Sequence, residues 1–308
     1  MEYFIHSVDM PFSGIKILYR ELNNQQILAL TKTDLSNPLA EDTVEDYADF
    51  LQEIVLECVK NKQDFLKLNL IDYFLFLAKL REVSIGEDLE LFLTKKENET
   101  NVKFTLTPSV FIERLYLSAK EALSKNILSL DQVDVELDWP NFKYEKFLIK
   151  TDSNTNLLDK IINCVYFFIK KITFNKTNVI DLTELKLSEI KTIYDNLPFL
   201  LRQKIQNVII NAISILKNSN IWNIKNIDGF VSGIDIFDFN YQNIFRLFFK
   251  EDYNNAMEEY YVLASKNILP TYLNTISIAD RKLFVTFLVK EIENMQSNKT
   301  EDNSFEQL

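Results

Sequence analysis

The sequence predicts an α+β fold, mostly α: an N-terminal half with two β-hairpins packed on helices, and a C-terminal half forming a helical bundle. Three observations predict it. Apolar residues recur at three- and four-residue spacing through most of the chain. On the N-terminal side, two pairs of short alternating or β-branched runs are each separated by a polar or turn-forming segment. The composition, 47% hydrophobic and 26% charged over 308 residues, is that of a globular chain long enough to bury a real core. The expected organisation is an α+β domain at 1–150, a helical domain at 151–297 and a disordered polar tail at 298–308.

The elements follow in order. Residues 3–8 and 15–19 alternate or run β-branched around Asp9-Met10-Pro11-Phe12-Ser13-Gly14, which is turn chemistry. A short helix at 25–30 stops before Ser36-Asn37-Pro38. In the next, Val44, Tyr47, Leu51, Ile54, Val55 and Cys58 share one face, and Asp42 with Glu45 supplies a capped start. The helix from 69 to about 83 is apolar nearly all round, so it belongs in the middle of a core. Leu89, Leu91 and Leu93, then Val102, Phe104 and Leu106, alternate on either side of the polar loop 95–100 and form the second hairpin. A helix at 109–123 and a strand at 133–137 come next. From about residue 153 the chain reads as all helix. Its stripes run through Leu158, Ile161, Ile162, Val165, Phe168, Ile169 and Ile172, then 187–197, then 201–216, then 253–266 and 277–295. The last of these opens on the capping pair Ser277 and Asp280.

The composition excludes the common catalytic plans. One histidine, His6, cannot supply a multi-histidine metal site. Gly14, Gly86, Gly229 and Gly233 are too scattered for a phosphate-cradling loop. A net charge of −11 argues against nucleic acid, since phosphate contact needs a cationic surplus. The most apolar stretches, 68–80 and 161–172, are short of the ~20 residues a bilayer demands and carry polar residues. Met1-Glu2-Tyr3 lacks the basic and apolar regions of a secretory leader, so the expectation is a chain of the cytoplasm, with no membrane partner. Cys58 and Cys164 are either a redox pair or two buried small hydrophobes in a reducing compartment, and the second reading is preferred.

A few residues offer chemistry and must be weighed. Asp235 and Asp238 lie in a glycine-bearing loop where an acidic, metal-dependent hydrolase could hold Mg²⁺; helix capping and turn bonding explain them as well. His6 is either a titrating switch or a half-buried strand residue. Arg81-Glu82 and Arg281 read as interface anchors or as surface ion pairs. Tyr260-Tyr261 with Phe245, Phe248 and Phe249 is first of all a core stripe, with some aromatic surface left for a partner. No catalytic, cofactor-binding or metal-binding residue is assigned.

The block Leu66-Lys67-Leu68-Asn69-Leu70-Ile71-Asp72, continuing to Arg81-Glu82-Val83-Ser84-Ile85-Gly86-Glu87, resembles the helix–Arg–x–x–Ser–hydrophobic–Gly–Glu signature of the T4-type phage baseplate hub subunits and hub assembly proteins. A hairpin and an acidic helix precede it and a strand pair follows it, as in that family. The segments 177–197 and 267–295, the latter with Ile276-Ser277-Ile278-Ala279-Asp280-Arg281, are similar too; 109–150 has no counterpart. The resemblance implies a non-enzymatic protein needed to assemble the central hub of a contractile-tail baseplate, either a subunit or a chaperone. Implied partners are other hub or tape-measure proteins, met in the host cytoplasm during assembly and, for a subunit, also in the virion tail.

Overall fold

The computed structural model describes residues 4–32, 41–86, 89–94, 101–144, 164–183, 185–219, 224–225, 231–232 and 253–305. The chain begins with β1 (His6–Asp9), β2 (Lys16–Tyr19), α1 (Asn24–Lys32), α2 (Glu41–Cys58), α3 (Lys62–Phe65) and α4 (Leu70–Ser84). Next come β3 (Leu89–Thr94), β4 (Asn101–Leu106), α5 (Pro108–Ala122), β5 (Ile127–Leu130) and β6 (Val133–Leu137). After two 3₁₀ turns, Phe142–Tyr144 and Val165–Phe168, follow β7 (Ile169–Phe174), β8 (Asn178–Asp181), α6 (Leu187–Asp195) and α7 (Phe199–Ser219). The two-residue strands β9 (Ile224–Lys225) and β10 (Val231–Ser232) precede α8 (Tyr253–Ser265), α9 (Pro270–Thr275) and α10 (Ile278–Phe305). The architecture is α+β and mostly helical, as the sequence predicts.

Both predicted hairpins form. β1 and β2 pair antiparallel with His6 opposite Tyr19, and β3 pairs β4 with Leu89 opposite Leu106. The centre of the molecule is α4, which has no polar face because none is needed: Leu70 through Ala78 are all buried. Asn69 starts it by accepting the Asp72 N–H at 2.9 Å, the side-chain capping that a helix N-terminus requires. Phe65 lies edge-on to Phe76 and to Phe142, 5.0 Å from each, and Tyr73 stacks on Phe142 at 4.8 Å. α5 packs on α4 and on α7.

The second half departs from an all-helical reading. The stripe predicted at 158–172 is instead the 3₁₀ turn Val165–Phe168 and strand β7; residues 158–163 lie outside the described residues. β7 joins β5, β6 and β8 in an antiparallel meander of four strands, built from segments on either side of residue 150. The physical reason is a bulge. Leu137 pairs with Ile169 and Glu136 with Lys171, which leaves Lys170 as an extra residue. Ile169 and Ile172, three apart, would face opposite sides of a regular strand; the extra residue lets both reach the core. β5 is not anticipated either, because its turn at Asp131 (φ 54°) lacks the glycine that marks most tight hairpins. Asn175 and Lys176, also at positive φ, turn β7 into β8 in the same way.

Two further expectations change. α10 continues to Phe305, through polar residues where a disordered tail is expected; nothing between 296 and 305 is proline or glycine, so no residue there breaks the helix. Arg81 and Arg281 are not on the surface: both are buried, Arg281 completely.

Candidate functional site

Two marked positions of the signature block, Ser84 and Gly86, have a clear physical role, and Glu87 lies outside the described residues. Arg81 is buried in the last turn of α4 and its carbonyl accepts the N–H groups of Ile85 and Gly86. The buried Ser84 hydroxyl accepts the Leu22 N–H at 2.9 Å, tying the chain before α1 to the end of α4. Gly86 adopts φ +132°, a conformation side chains rarely take. At the other end, Asp72 is buried and accepts the Phe12 N–H at 3.1 Å and the Ser13 N–H at 2.8 Å, holding the β1–β2 turn on α4.

Beside that turn lies a cleft of about 480 Å³. One wall is Phe12 and Ser13; the floor is the α3–α4 junction at Leu66 and Asn69; the opposite walls come from 138–144 and from the starts of β7 and the segment after β8. The floor and the 138–144 segment are stitched together. Leu70 N–H donates to the Pro140 carbonyl at 2.7 Å, Phe142 N–H to the Leu68 carbonyl at 3.2 Å, and the Asn141 amide to the Leu66 carbonyl at 3.0 Å.

The charged groups of the cleft are engaged within the protein. Burial pushes the Asp138 carboxyl up, against the Trp139 N–H at 2.7 Å and Lys170, which pull it down. Burial pulls the Lys170 ammonium down, but the carboxylates of Asp138 (3.6 Å) and Glu136 (3.4 Å) outweigh it, and the net shift is upward. Lys143 is lowered by burial; it donates to the Thr183 carbonyl at 3.3 Å and sits 4.9 Å above the Tyr144 ring. Asp181 folds its own turn, accepting from the Thr183 N–H and hydroxyl. Burial raises the Asp72 carboxyl as well, with a smaller push from Asp138, and raised carboxyls are a pattern that acid–base sites share. Both Asp72 oxygens, however, are spent on backbone N–H groups.

Other sequence candidates are dispersed. His6 is half-buried beside Phe4 and Tyr19, its rings 4.9 and 5.6 Å away, and burial lowers its pKa. Cys58 is buried and Cys164 half-buried, and neither is in a disulfide. Asp235, Asp238, Phe245, Phe248 and Phe249 lie outside the described residues. Tyr260 spends its hydroxyl on Pro270 and Asn274, while Tyr261 is 75% exposed. Among the described residues no cluster of three His, Cys, Asp or Glu could hold a metal, and no helix is long and apolar enough to cross a membrane.

What the surface does offer is apolar. Phe4 is 72% exposed, Phe199 69% and Leu269 68%, with Leu117, Leu200 and Phe287 also largely uncovered. Scattered single apolar residues are ordinary, but large aromatic side chains left in water are what binding surfaces use.

No curated protein and no solved structure matches the chain significantly. The family described as T4 bacteriophage base plate protein matches residues 2–224, a span that includes the signature block, the cleft and every element from β1 to α7. The chain therefore belongs to the T4 bacteriophage base plate protein family.

Proposed function

We propose that the protein helps to build the central hub of a contractile-tail baseplate, working through contacts with hub or tape-measure proteins rather than through catalysis. Family membership supports a structural or assembly role in a phage baseplate. The observation that carries the finer reading is the exposed apolar side chains, led by Phe4, Phe199 and Tyr261. Burial of such surface stabilises an assembly by roughly 25 cal/mol per Å², so the task needs area and shape rather than a reactive group. The engaged state of Asp72, Asp138 and Lys170 agrees with that: each is a structural tie.

A nonsense mutation in the coding sequence tests the reading. Infected cells should then accumulate normal heads and tail-baseplate intermediates without a completed hub, and complete tails in normal number would overturn it. Detection in purified particles separates the two roles: presence marks a hub subunit, absence a chaperone that leaves.

A further inference from the structure

Helices α8, α9 and α10 lie beyond the span of the family match and carry a small core of their own. Leu263, Leu273 and Ile276 bury together under Tyr260, Phe284 and Leu288, apart from the main core. Their attachment to the rest of the molecule is largely polar. Asn24, fully buried at the start of α1, donates its N–H to the Ile276 carbonyl at 2.9 Å and its side-chain amide to the Leu273 carbonyl at 2.8 Å. Its Oδ1 accepts from Arg281 at 3.1 Å, and Arg281 Nε donates to Glu259 Oε2 at 2.8 Å. Asn23 and Ser277 form an antiparallel bridge alongside. Ile278 is the one buried apolar residue of these helices, among the described residues, that enters the main core.

We propose that α8–α10 form an arm that opens from α1 as one cooperative unit, with the bonds of Asn24 to Leu273, Ile276 and Arg281 as its latch and Glu259 holding Arg281 in place within the arm, while the core around α4 stays closed. The three residues of its own buried cluster are too few to hold its helices once the arm leaves α1, so their backbone hydrogen bonds open with it. The latch groups are polar and exchange their bonds for water on opening, whereas an apolar joint would have to expose its area. Sub-global openings of this kind follow supersecondary units with few apolar ties to the remainder. The inference stands apart from the hub reading, because its test uses the purified chain alone.

Hydrogen exchange followed by mass spectrometry on the full chain tests it. The amides of 256–288 and of 24–30 should exchange together, at least about tenfold faster than those of α4. Antiparallel partners lie about 4.5–5.5 Å apart at Cα, a spacing that suits a disulfide. The pair Asn23→Cys and Ser277→Cys, oxidised, should slow the arm at least about tenfold, and reduction should restore it. Arm amides as slow as those of α4, or a cross-link that leaves their rate unchanged, would overturn the proposal. If the cysteine pair does not fold, Asn24→Ser serves instead. Acceleration confined to the arm and α1 supports the latch, and equal acceleration in α4 refutes it.

Discussion

Replacing Asp72 by alanine removes the tie between the first hairpin and the central helix, a contact spanning 60 residues of sequence. Two bonds are lost, to the N–H groups of Phe12 and Ser13, both to a carboxylate that is wholly buried. Hydrogen bonds to charged groups contribute about 1.5 kcal/mol or somewhat more each, about 3 kcal/mol together. Loss of a carboxylate from the first turn of α4 adds about 0.5 kcal/mol through the helix dipole. Two effects work the other way: Ser13 is exposed, so its N–H regains water, and a buried charge no longer has to be held out of solvent. The expected net loss is about 2 kcal/mol. Urea unfolding at pH 7, read by circular dichroism, should show a lower midpoint with an unchanged slope. Amide exchange at Phe12 and Ser13 should rise with it. A loss below about 0.5 kcal/mol, or a loss without faster exchange at those two amides, would refute the reasoning. The pH dependence has a definite sign. Burial raises the Asp72 carboxyl above 3.8, more than the Ser13 and Phe12 bonds lower it. The folded state then holds the proton more tightly than the unfolded one, so the stability Asp72 contributes is greatest at low pH and falls as pH rises through the folded value. The advantage of the wild type over Asp72→Asn should shrink across that window.

Three other substitutions or reactions probe the same structure. Arg281→Ala should weaken the closed arm by about 1–3 kcal/mol, chiefly by stranding the buried Asn24 carbonyl, since Glu259 is partly exposed; a cycle with Glu259→Gln, read by arm exchange, should give a coupling of about 0.5–1 kcal/mol. Phe142→Ala empties a site between Phe65 and Tyr73 and should cost about 3–5 kcal/mol in urea unfolding. Burial pushes the Cys58 and Cys164 thiols up to about 11, so at pH 8 both should label slowly with a thiol reagent until denaturant is added; fast labelling of Cys58 in the native chain would contradict its burial.

Where one period dominates, the fold is legible in the sequence. α4 could be placed because its apolar residues leave no room for a solvent face, and both hairpins because polar or turn residues interrupt alternating runs. β7 was not legible: the three-residue spacing of Ile169 and Ile172 mimics a helix, and only pairing with β6 shows that Lys170 is bulged out. β5 and β8 hid behind turns made by Asp131, Asn175 and Lys176, none of them a glycine. The arginines show the limit of local reading most clearly. Arg281 sits in a sequence that looks like an exposed helix start, and its partners Asn24 and Glu259 come from 257 and 22 residues away. The cleft was equally hidden, since it gathers Phe12, Leu66, Asp138 and Lys170 from four separate segments. The signature block, by contrast, was legible as a pattern, and the structure supplies its reasons at Ser84 and Gly86.

The central claim, that this base plate family member acts in building the hub by contact alone, is tested most directly by complementation. Cells infected with a phage lacking the protein are supplied in trans with the wild type or with a chain in which Phe4, Phe199 and Tyr261, the most exposed aromatic side chains among the described residues, are changed to serine. Hub-bearing baseplates are then counted by electron microscopy. The account predicts that the wild type restores them and that the serine variant, folded by circular dichroism, does not. Full restoration by the folded serine variant would contradict it.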